Sequence, residues 1–394
     1  MPDESLIQTL LLPELSLISF RRLRDSRVIE VVAKKEPQME YCPKCATPSA
    51  STYDTRRVRL KDEPFRTFRV FLTVVKRRLW CKPCGKAFTE PLGWVRKGHR
   101  HTERYGRAVM GACERYVDLK QVRQDFKCSG GWLYRTLYRH LELQRRKRLY
   151  PWPSRLGIDE HFFRRGKNGF REFVTVFVDQ KNHRLMEVAE GRTGPELEAA
   201  LDYIPGRENV RVVAIDMSDS YKAFVRRFFP QAIIVADKFH VLRLLSPAIN
   251  KQRKAITGDK RSLPVRRLLL RNGHSLEPQT RRTLSAWLTQ HPALRELYEA
   301  KEALVRFYRI RSFKQASRFL TGITDRLADS ALPELQTLRN TLMRWRHQVL
   351  AYFRTRLTNG MTEGFNCKAK LVKRRAYGYR SFTNYRLRLL NACA

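Results

Sequence analysis

Runs of alternating and continuous apolar positions predict a series of strands in the middle of the chain. Three runs, "RLGIDEHFF", "REFVTVFVDQ" and "HRLMEVAEGR", have strand composition and are separated by the turn sequences "RRGKNG" and "KNH". A helix with Leu197, Leu201 and Ile204 on one stripe follows, and then come a strand at 211–216, a helix and a strand at 232–237. From about residue 245 to 350 the pattern is helical.

A separate helical pattern lies upstream, in "VDLKQVRQDFKCSGGWLYRTLYRHLE". Apolar residues recur one turn apart on both sides of "CSGG", and Asp118 and Ser129 are suitable N-terminal caps. This predicts a helix-turn-helix whose second helix exposes Arg135 and Arg139 to DNA. A plain helical hairpin is the alternative.

Four of the eight cysteines form two CxxC pairs, in "YCPKCATP" and "WCKPCGKAF". Each tight turn can present two thiolates to one tetrahedral zinc at about 2.3 Å, and the segment between the pairs is predicted to form two strands. Cys42, Cys45, Cys81 and Cys84 are therefore the predicted ligands of one structural zinc in a zinc ribbon. A redox pair and disulfides are the alternatives, and a reducing compartment argues against disulfides.

A large excess of positive charge narrows the functional classes. The 394-residue chain has 79 Lys and Arg against 38 Asp and Glu, a formal net charge of +41. Such an excess predicts a polyanionic partner, commonly nucleic acid, although a ribosomal protein or a membrane-surface binder is also strongly basic. The start of the chain lacks the charged region of a signal peptide, and no apolar run approaches the roughly 20 residues that span a bilayer. We therefore expect a cytoplasmic protein with no membrane partner.

Several motifs occur in the order typical of one family. "GIDEHFF", "AIDMSDSY", "VADKFHV" and "TNGMTEGFN…KRRAYGYRSF" resemble the DDE transposases of bacterial insertion sequences. More narrowly, they resemble the ISL-three family, which also carries an N-terminal zinc ribbon and a helix-turn-helix. The resemblance covers nearly the whole chain.

We therefore predict an α+β multidomain chain, because three strands, a helix, a strand, a helix and a strand is the order of the ribonuclease-H-like fold. Its four parts are an N-terminal region with the zinc ribbon (1–100), a helix-turn-helix DNA-binding domain (101–147), a ribonuclease-H-like DDE catalytic domain of pattern βββαβαβ…α (148–244 and 351–394), and an all-helical insertion that interrupts it (245–350).

The resemblance implies that three acids, Asp159, Asp216 and Glu363, hold two Mg²⁺ ions, which Mn²⁺ can replace. In the implied fold the first and fourth strands are neighbours and the fifth lies beyond the fourth. Strands are about 4.8 Å apart, whereas two metals about 3.5–4 Å apart need a shared carboxylate. Asp159 and Asp216 can share ions, so we favour Asp216 over Asp237. Asp237 is expected to cap the next helix or to orient His240.

The third ligand, Glu363, is expected on a late helix, with Asn366 close to the site. From residue 368 to 388 basic residues alternate with aromatic ones and no acidic residue occurs. Cations suit phosphates and aromatic rings suit unpaired bases, whereas a solvated basic helix explains only the charge. The predicted DNA contacts here are Lys370, Lys373, Arg374, Arg375, Tyr377, Tyr379 and Arg380.

The implied function is that of a transposase that binds the terminal inverted repeats of its own element and performs Mg²⁺-dependent strand cleavage and strand transfer. Its partners would be double-stranded DNA, both element ends and target, and a second copy of the chain, since two ends must meet. It would be a nucleoid-associated bacterial protein. A DNA-binding regulator descended from a transposase and a ribonuclease or structure-specific nuclease are the alternatives. Trp287 and Trp345 in the insertion either stack on a base or belong to the core.

Overall fold

The computed structural model of the chain describes residues 12–115, 118–166, 168–258 and 264–393. Residues 1–11, the beginning of the region predicted at 1–100, lie outside the described residues. The chain divides into two compact units, Met1–Arg139 and His140–Ala394. The finer domain boundaries drawn from the sequence stay predictions.

A five-stranded sheet is the centre of the first unit. It contains β1 (Leu15–Leu23), β2 (Val28–Lys35), β6 (Phe68–Cys81) and β5 (Thr52–Phe65) in that order, and β7 (Lys86–Thr89) also pairs with β6. Side chains alternate between the faces of a strand, so Leu60, Leu72 and Val74 enter one buried cluster. The predicted strands between the cysteine pairs are therefore confirmed as β5 and β6. The short strands β3 (Glu40–Tyr41) and β4 (Pro48–Ser49) form a separate ribbon.

Three helices follow in chain order: α1 (Glu103–Arg115), α2 (Leu119–Phe126) and α3 (Gly130–Lys147). The Asp118 carboxylate accepts a hydrogen bond from the Gln121 amide at 2.8 Å, and the Ser129 hydroxyl accepts one from the Trp132 amide at 3.3 Å. These bonds satisfy amides that the first helical turn leaves unpaired. Both predicted caps are confirmed, and they set the helix, tight turn and helix order at 119–147.

A second five-stranded sheet is the centre of the second unit, in the order β10-β9-β8-β11-β12. Its strands are β8 (Arg155–Arg165), β9 (Arg171–Asp179), β10 (Arg184–Glu190), β11 (Val212–Ile215) and β12 (Ile233–Ala236). The first three form an antiparallel meander, and β11 is parallel to both β8 and β12. The first and fourth strands are neighbours and the fifth lies beyond the fourth, as the sequence predicted.

Helices cover both faces of this sheet. Successive side chains of β9 point to opposite faces, so this strand contributes to the buried clusters on both sides. Val174, Val176 and Val178 lie in one buried cluster, which also contains residues of α14 (Gly360–Arg375) and α15 (Phe382–Ala392). Phe177 lies in the other cluster, with residues of α4 (Gly194–Leu201) and α5 (Asp219–Phe228).

One detail of the sequence prediction is wrong: α4 ends at Leu201, so Ile204 is not helical. Ile204 precedes Pro205, and a proline disfavours helical geometry in the residue before it. Ile204 is nevertheless buried in the same cluster as Leu197 and Leu201.

Throughout its described residues, the segment between β12 and α14 consists of α-helices joined by short non-helical connections, one of which contains a 3₁₀ turn. Its helices are α6 (Lys238–Arg243), α7 (Ser246–Thr257), α8 (Pro264–Leu270), α9 (Pro278–Thr289), α10 (Pro292–Phe307), α11 (Phe313–Ala328), α12 (Pro333–Arg344) and α13 (Arg346–Thr355). Four of these begin at a proline, whose fixed φ suits the first helical position. Helix α13 packs against β12 and so joins this segment to the sheet.

Candidate active site and zinc centre

Two tight turns in the first unit bring four thiols together. The Cys42 and Cys84 sulfur atoms are 4.0 Å apart and those of Cys45 and Cys81 are 3.5 Å apart. All four sulfur atoms lie within 4.8 Å of one another. Four sulfur ligands at about 2.3 Å from one tetrahedral zinc are about 3.8 Å apart, so the thiols fit this metal.

The two turns share a local conformation. Ala46 and Gly85, each directly after the second cysteine of its pair, have positive φ angles of 56° and 60°. Hydrogen bonding with Thr47 lowers the pKa of the Cys45 thiol to about 6, which favours the thiolate form that zinc binds. All eight cysteines lie in the described part of the chain and none forms a disulfide. The chain therefore has a zinc ribbon with a four-cysteine centre.

Three aspartates meet at one edge of the sheet in the second unit. Ala214 of β11 is paired with Gly157 of β8, and Ile215 is paired with Ala236 of β12. Continuing these parallel registers places Asp216 level with Asp159 on one side and with Asp237 on the other. Asp216 is thus the middle one of the three.

Asp159 is held by a backbone amide and by a side chain. The Glu160 amide donates to its Oδ1 at 2.8 Å, and Nδ2 of Asn366 on α14 donates to its Oδ2 at 2.8 Å. Glu160 points to the opposite face, where its carboxylate accepts a hydrogen bond from the Tyr221 hydroxyl at 3.1 Å. Burial raises the pKa of Asp159 above its usual value.

Asp216 directly follows β11 and is half-buried. Its Oδ1 accepts a hydrogen bond from the Ser218 amide at 3.1 Å. The pKa of Asp216 is raised to about 6, chiefly by burial; the nearby charge of Asp159 also favours this increase and that of His240 opposes it. Two partly buried carboxylates that repel each other are stabilised in their charged form by a cation, and such oxygen ligands suit Mg²⁺. The pair therefore fits a divalent metal.

Asp237 accepts hydrogen bonds that connect three parts of the fold. It caps α6, its Oδ2 accepts from Nδ1 of His240 at 2.9 Å, and its Oδ1 accepts from the Asn359 amide at 3.0 Å. Burial alone would raise the pKa of Asp237, but the hydrogen bonds from His240 and Asn359 outweigh it and lower that pKa. The predicted capping and orienting roles of Asp237 are confirmed.

Glu363 lies in the first turn of α14, which begins at Gly360. Its side chain is 51% exposed, and its Oε1 is 3.5 Å from Nη1 of Arg243 on α6. Within the described ranges, only the four cysteines form a set of three or more possible ligands whose atoms all lie within 4.8 Å of one another. The structure brings Asp159 and Asp216 to one edge, and it does not bring Glu363 to within that distance of both.

The basic segment at the end of the chain is divided between exposed and engaged residues. Tyr377 is 90% exposed. Lys373, by contrast, donates to the carbonyl oxygens of Phe162 at 2.7 Å and Phe163 at 3.0 Å, and Tyr379 packs against Tyr385. The remaining predicted DNA contacts here are exposed: Lys370, Arg374, Arg375 and Arg380.

The two predicted DNA contacts of α3 are exposed, whereas the two tryptophans of the helical segment differ in burial. Arg135 and Arg139 are exposed on α3, opposite the buried Leu133 and Leu137. Trp345 is completely buried in the core cluster, so it is not available to stack on a base. Trp287 is half-buried, and its ring centre lies 4.7 Å from that of His291.

Two family models match the chain. The model described as the zinc-finger of transposase IS204/IS1001/IS1096/IS1165 matches residues 40–84, which contain all four zinc ligands. The model for ISL3 transposases, described as "Transposase", matches residues 156–389, more than half of the chain, including Asp159, Asp216 and α14. The chain belongs to the ISL3 family of transposases.

Individual relatives of this ISL3 transposase give the same result. It is 27% identical over 367 residues to the "Transposase for insertion sequence element IS1001" of Bordetella parapertussis, which covers 90% of this chain and 89% of the relative. The chain is also 24% identical over 393 residues to the "Transposase for insertion sequence element IS1557" of Mycobacterium tuberculosis, and the match covers 90% of this chain and 86% of that relative. Among its described residues, no helix has the length and apolar character needed to cross a bilayer.

Several residues that organise the site of the ISL3 transposase escape a sequence-based search. Nδ2 of Asn359 donates to the Ile158 carbonyl at 2.9 Å while its amide binds Asp237, so Asn359 links β8, α6 and α14. His161 and Tyr385 lie behind Asn366. The one usable signal is the "TNG" that precedes α14, since asparagine is favoured at helix starts.

Proposed function

We propose that this ISL3 transposase cleaves and joins DNA strands at the ends of its insertion sequence, at an acidic centre formed by Asp159, Asp216 and Glu363. The register of β8 and β11, which brings Asp159 and Asp216 level at one sheet edge, is the observation that carries the proposal. The sheet order β10-β9-β8-β11-β12, with helices on both faces, supports a ribonuclease-H-like assignment for this unit.

Asp159, Asp216 and Glu363 would hold two Mg²⁺ ions, or Mn²⁺ in their place. Bound there, the ions would lower the pKa of an attacking water or 3′-hydroxyl and stabilise the departing 3′-oxygen. Asn366 keeps the Asp159 carboxylate in place. To hold the ions, Glu363 would have to release Arg243, and its side chain is largely exposed in the first turn of α14.

Three surfaces support the proposed binding of DNA. Arg135 and Arg139 lie on the exposed side of the second helix of a helix-turn-helix, a position that enters the major groove in such domains. The exposed cations of α14, with Tyr377 beyond it, suit a DNA end. The zinc ribbon adds a third, basic module. Since two element ends must be joined, the active species is a homodimer on DNA in the bacterial nucleoid.

The decisive experiment compares Asp216→Asn with Asp237→Asn in Mg²⁺-dependent cleavage of a labelled element end. Asn keeps the shape of Asp in both variants. A metal ligand contributes several kcal/mol to the transition state, so Asp216→Asn should lower the rate by about 10³-fold or more. Asp237→Asn keeps an oxygen acceptor for its cap and should lower it by about tenfold or less.

Two results would contradict the proposal. If Asp237→Asn alone abolished cleavage, the metal would lie between β11 and β12 instead. If the unaltered protein bound the end tightly with Mg²⁺ and never cut it, the chain would be a DNA-binding regulator.

A further inference from the structure

Three side chains form a hydrogen-bonded chain behind Asp159. Nδ2 of Asn366 donates to Oδ2 of Asp159 at 2.8 Å, Nδ1 of His161 is 2.9 Å from Oδ1 of Asn366, and the hydroxyl of Tyr385 is 2.6 Å from Nε2 of His161. Three separate elements supply these residues, namely β8, α14 and α15. The chain runs from the acidic centre into the core between the sheet and the last two helices.

The direction of each hydrogen bond follows from the first. An ionised carboxylate only accepts, so Asn366 must turn its NH₂ group toward Asp159 and its carbonyl toward His161. Nδ1 of His161 must then donate, which leaves Nε2 as an acceptor for the Tyr385 hydroxyl. With a neutral imidazole, neither Asn366 nor His161 can reverse its role without breaking the bond to Asp159.

The three side chains of this hydrogen-bonded chain are almost completely buried. His161, Asn366 and Tyr385 are all at least 95% buried, and the Tyr385 ring lies 5.0 Å from that of Phe163. An apolar side chain at position 161 would fill the same space without the cost of burying polar groups. The buried imidazole of this chain is instead stabilised by its two hydrogen bonds, because a buried polar group that loses its partner is strongly destabilising. His161 faces the same side of β8 as Asp159, two positions along the strand.

We propose that His161 and Tyr385 are positioning residues for the metal ligand Asp159. They fix the amide of Asn366, and Asn366 fixes Oδ2 of Asp159 so that the remaining lone pairs of the carboxylate face the sheet edge and a divalent cation. This inference rests on the proposed function, since it takes Asp159 as a ligand.

The test is a titration of the full chain with Mn²⁺, in which electron paramagnetic resonance follows the free ion up to millimolar concentrations. Changes in groups that hold a metal ligand typically weaken metal binding 10- to 100-fold. We expect His161→Phe, which keeps the ring and removes both hydrogen bonds, to weaken binding at the acidic centre by about tenfold. Tyr385→Phe removes only the far end of the chain and should weaken it by about threefold.

Two variants separate positioning from packing. His161→Asn retains an amide donor close to the place of Nδ1, so it should stay within about threefold of the unaltered protein. Tyr308→Phe is the matched control, because the Tyr308 hydroxyl is also buried and has no hydrogen-bond partner in the described structure. It should bind Mn²⁺ like the unaltered protein.

Asp159→Asn provides the reference that separates this inference from the proposed function. If it removes the Mn²⁺ site and His161→Phe leaves binding unchanged, the positioning role is wrong. The positioning role is also wrong if His161→Asn binds Mn²⁺ as weakly as His161→Phe, since the loss of affinity would then come from altered packing. If Asp159→Asn itself binds Mn²⁺ normally, the proposed acidic centre is wrong and the inference falls with it. Should His161→Phe fail to fold, Tyr385→Phe decides, because unchanged Mn²⁺ binding in that variant would overturn the positioning role.

Discussion

The four thiols of the zinc centre come from two short turns, whereas the carboxylates of the acidic centre come from elements far apart in the chain. Each CxxC turn fixes two sulfur atoms locally, and pairing of the strands between the turns brings the two pairs together. Asp159 and Glu363 are 204 positions apart. Their meeting depends on how α14 docks on the sheet.

The contrast shows that local geometry completes one site and tertiary packing prepares the other. The sulfur atoms already have the spacing of tetrahedral ligands. At the proposed acidic centre, strand register places Asp159 and Asp216 level with each other, and Glu363 remains paired with Arg243. The proposed site would gain Glu363 as its last ligand by a side-chain movement, which would couple metal binding to DNA binding.

The largest expected effect is on the preassembled site. Cys81→Ser should reduce bound zinc from one ion per chain to below about one tenth and unfold the first unit, because structural zinc contributes about 10–16 kcal/mol of binding in small zinc domains. Colorimetric assay of zinc after denaturation, together with near-ultraviolet circular dichroism, measures both effects. Cys367→Ser, at an exposed cysteine of α14, is the control and should keep one zinc. Full zinc content in Cys81→Ser would show that the thiols are not the ligands.

Cleavage at the proposed acidic centre should depend strongly on Glu363, its proposed third ligand. Glu363→Gln should reduce Mg²⁺-dependent cleavage by about 10³-fold, since a ligand contributes several kcal/mol and each 1.36 kcal/mol is a factor of ten. Single-turnover cleavage of a labelled element end is the measurement. Glu299→Gln, an exposed glutamate of α10, is the control. A loss of less than tenfold in Glu363→Gln would remove Glu363 from the centre.

The docking of α14 on the sheet gives the next largest effect. A Cβ added at Gly157 would lie 2.6 Å from Oδ1 of Asn359 and closer still to the side chains of Thr362 and Gln180. Gly157→Ala should therefore lower the free energy of unfolding by about 1–3 kcal/mol and displace α14.

Gly364→Ala on the same helix is the opposite case. A Cβ at Gly364 meets nothing within 4 Å, so alanine should stabilise the helix by about 0.5–1 kcal/mol. Urea unfolding of both variants distinguishes them. Equal stability would show that α14 does not dock closely on β8.

The smallest effect is expected at the ion pair that holds Glu363. Arg243 and Glu363 are both largely exposed, and such pairs contribute about 0–1 kcal/mol. Arg243→Gln should therefore change the cleavage rate by less than about fivefold at saturating DNA. A loss as large as that of Glu363→Gln would assign Arg243 a direct part in the reaction.

The sequence predicts best where a pattern is local. The CxxC turns, the caps at Asp118 and Ser129, and the aspartates at strand ends follow from short-range chemistry, and the structure has them as predicted. The position of Asp237 relative to Asp159 also followed, because strand spacing and strand order determine it.

What the sequence leaves open depends on contacts between distant residues. Lys373 is predicted to bind DNA, and the structure shows in addition that it donates to the carbonyl groups of Phe162 and Phe163 in β8. Tyr385 belongs to the same aromatic run and is buried against His161, a residue 224 positions away. No periodicity within α14 or α15 encodes such a partner.

The most direct test of the acidic centre is the position of Mn²⁺ in a crystal of the protein bound to its DNA end, located by anomalous scattering. We predict two peaks at the edge of β8 and β11, with a carboxylate oxygen of Asp159, Asp216 and Glu363 each within about 2.1–2.3 Å of an ion. Peaks bound by Asp216 and Asp237 without Asp159, or a Glu363 that still pairs with Arg243 while both ions are present, would contradict the account.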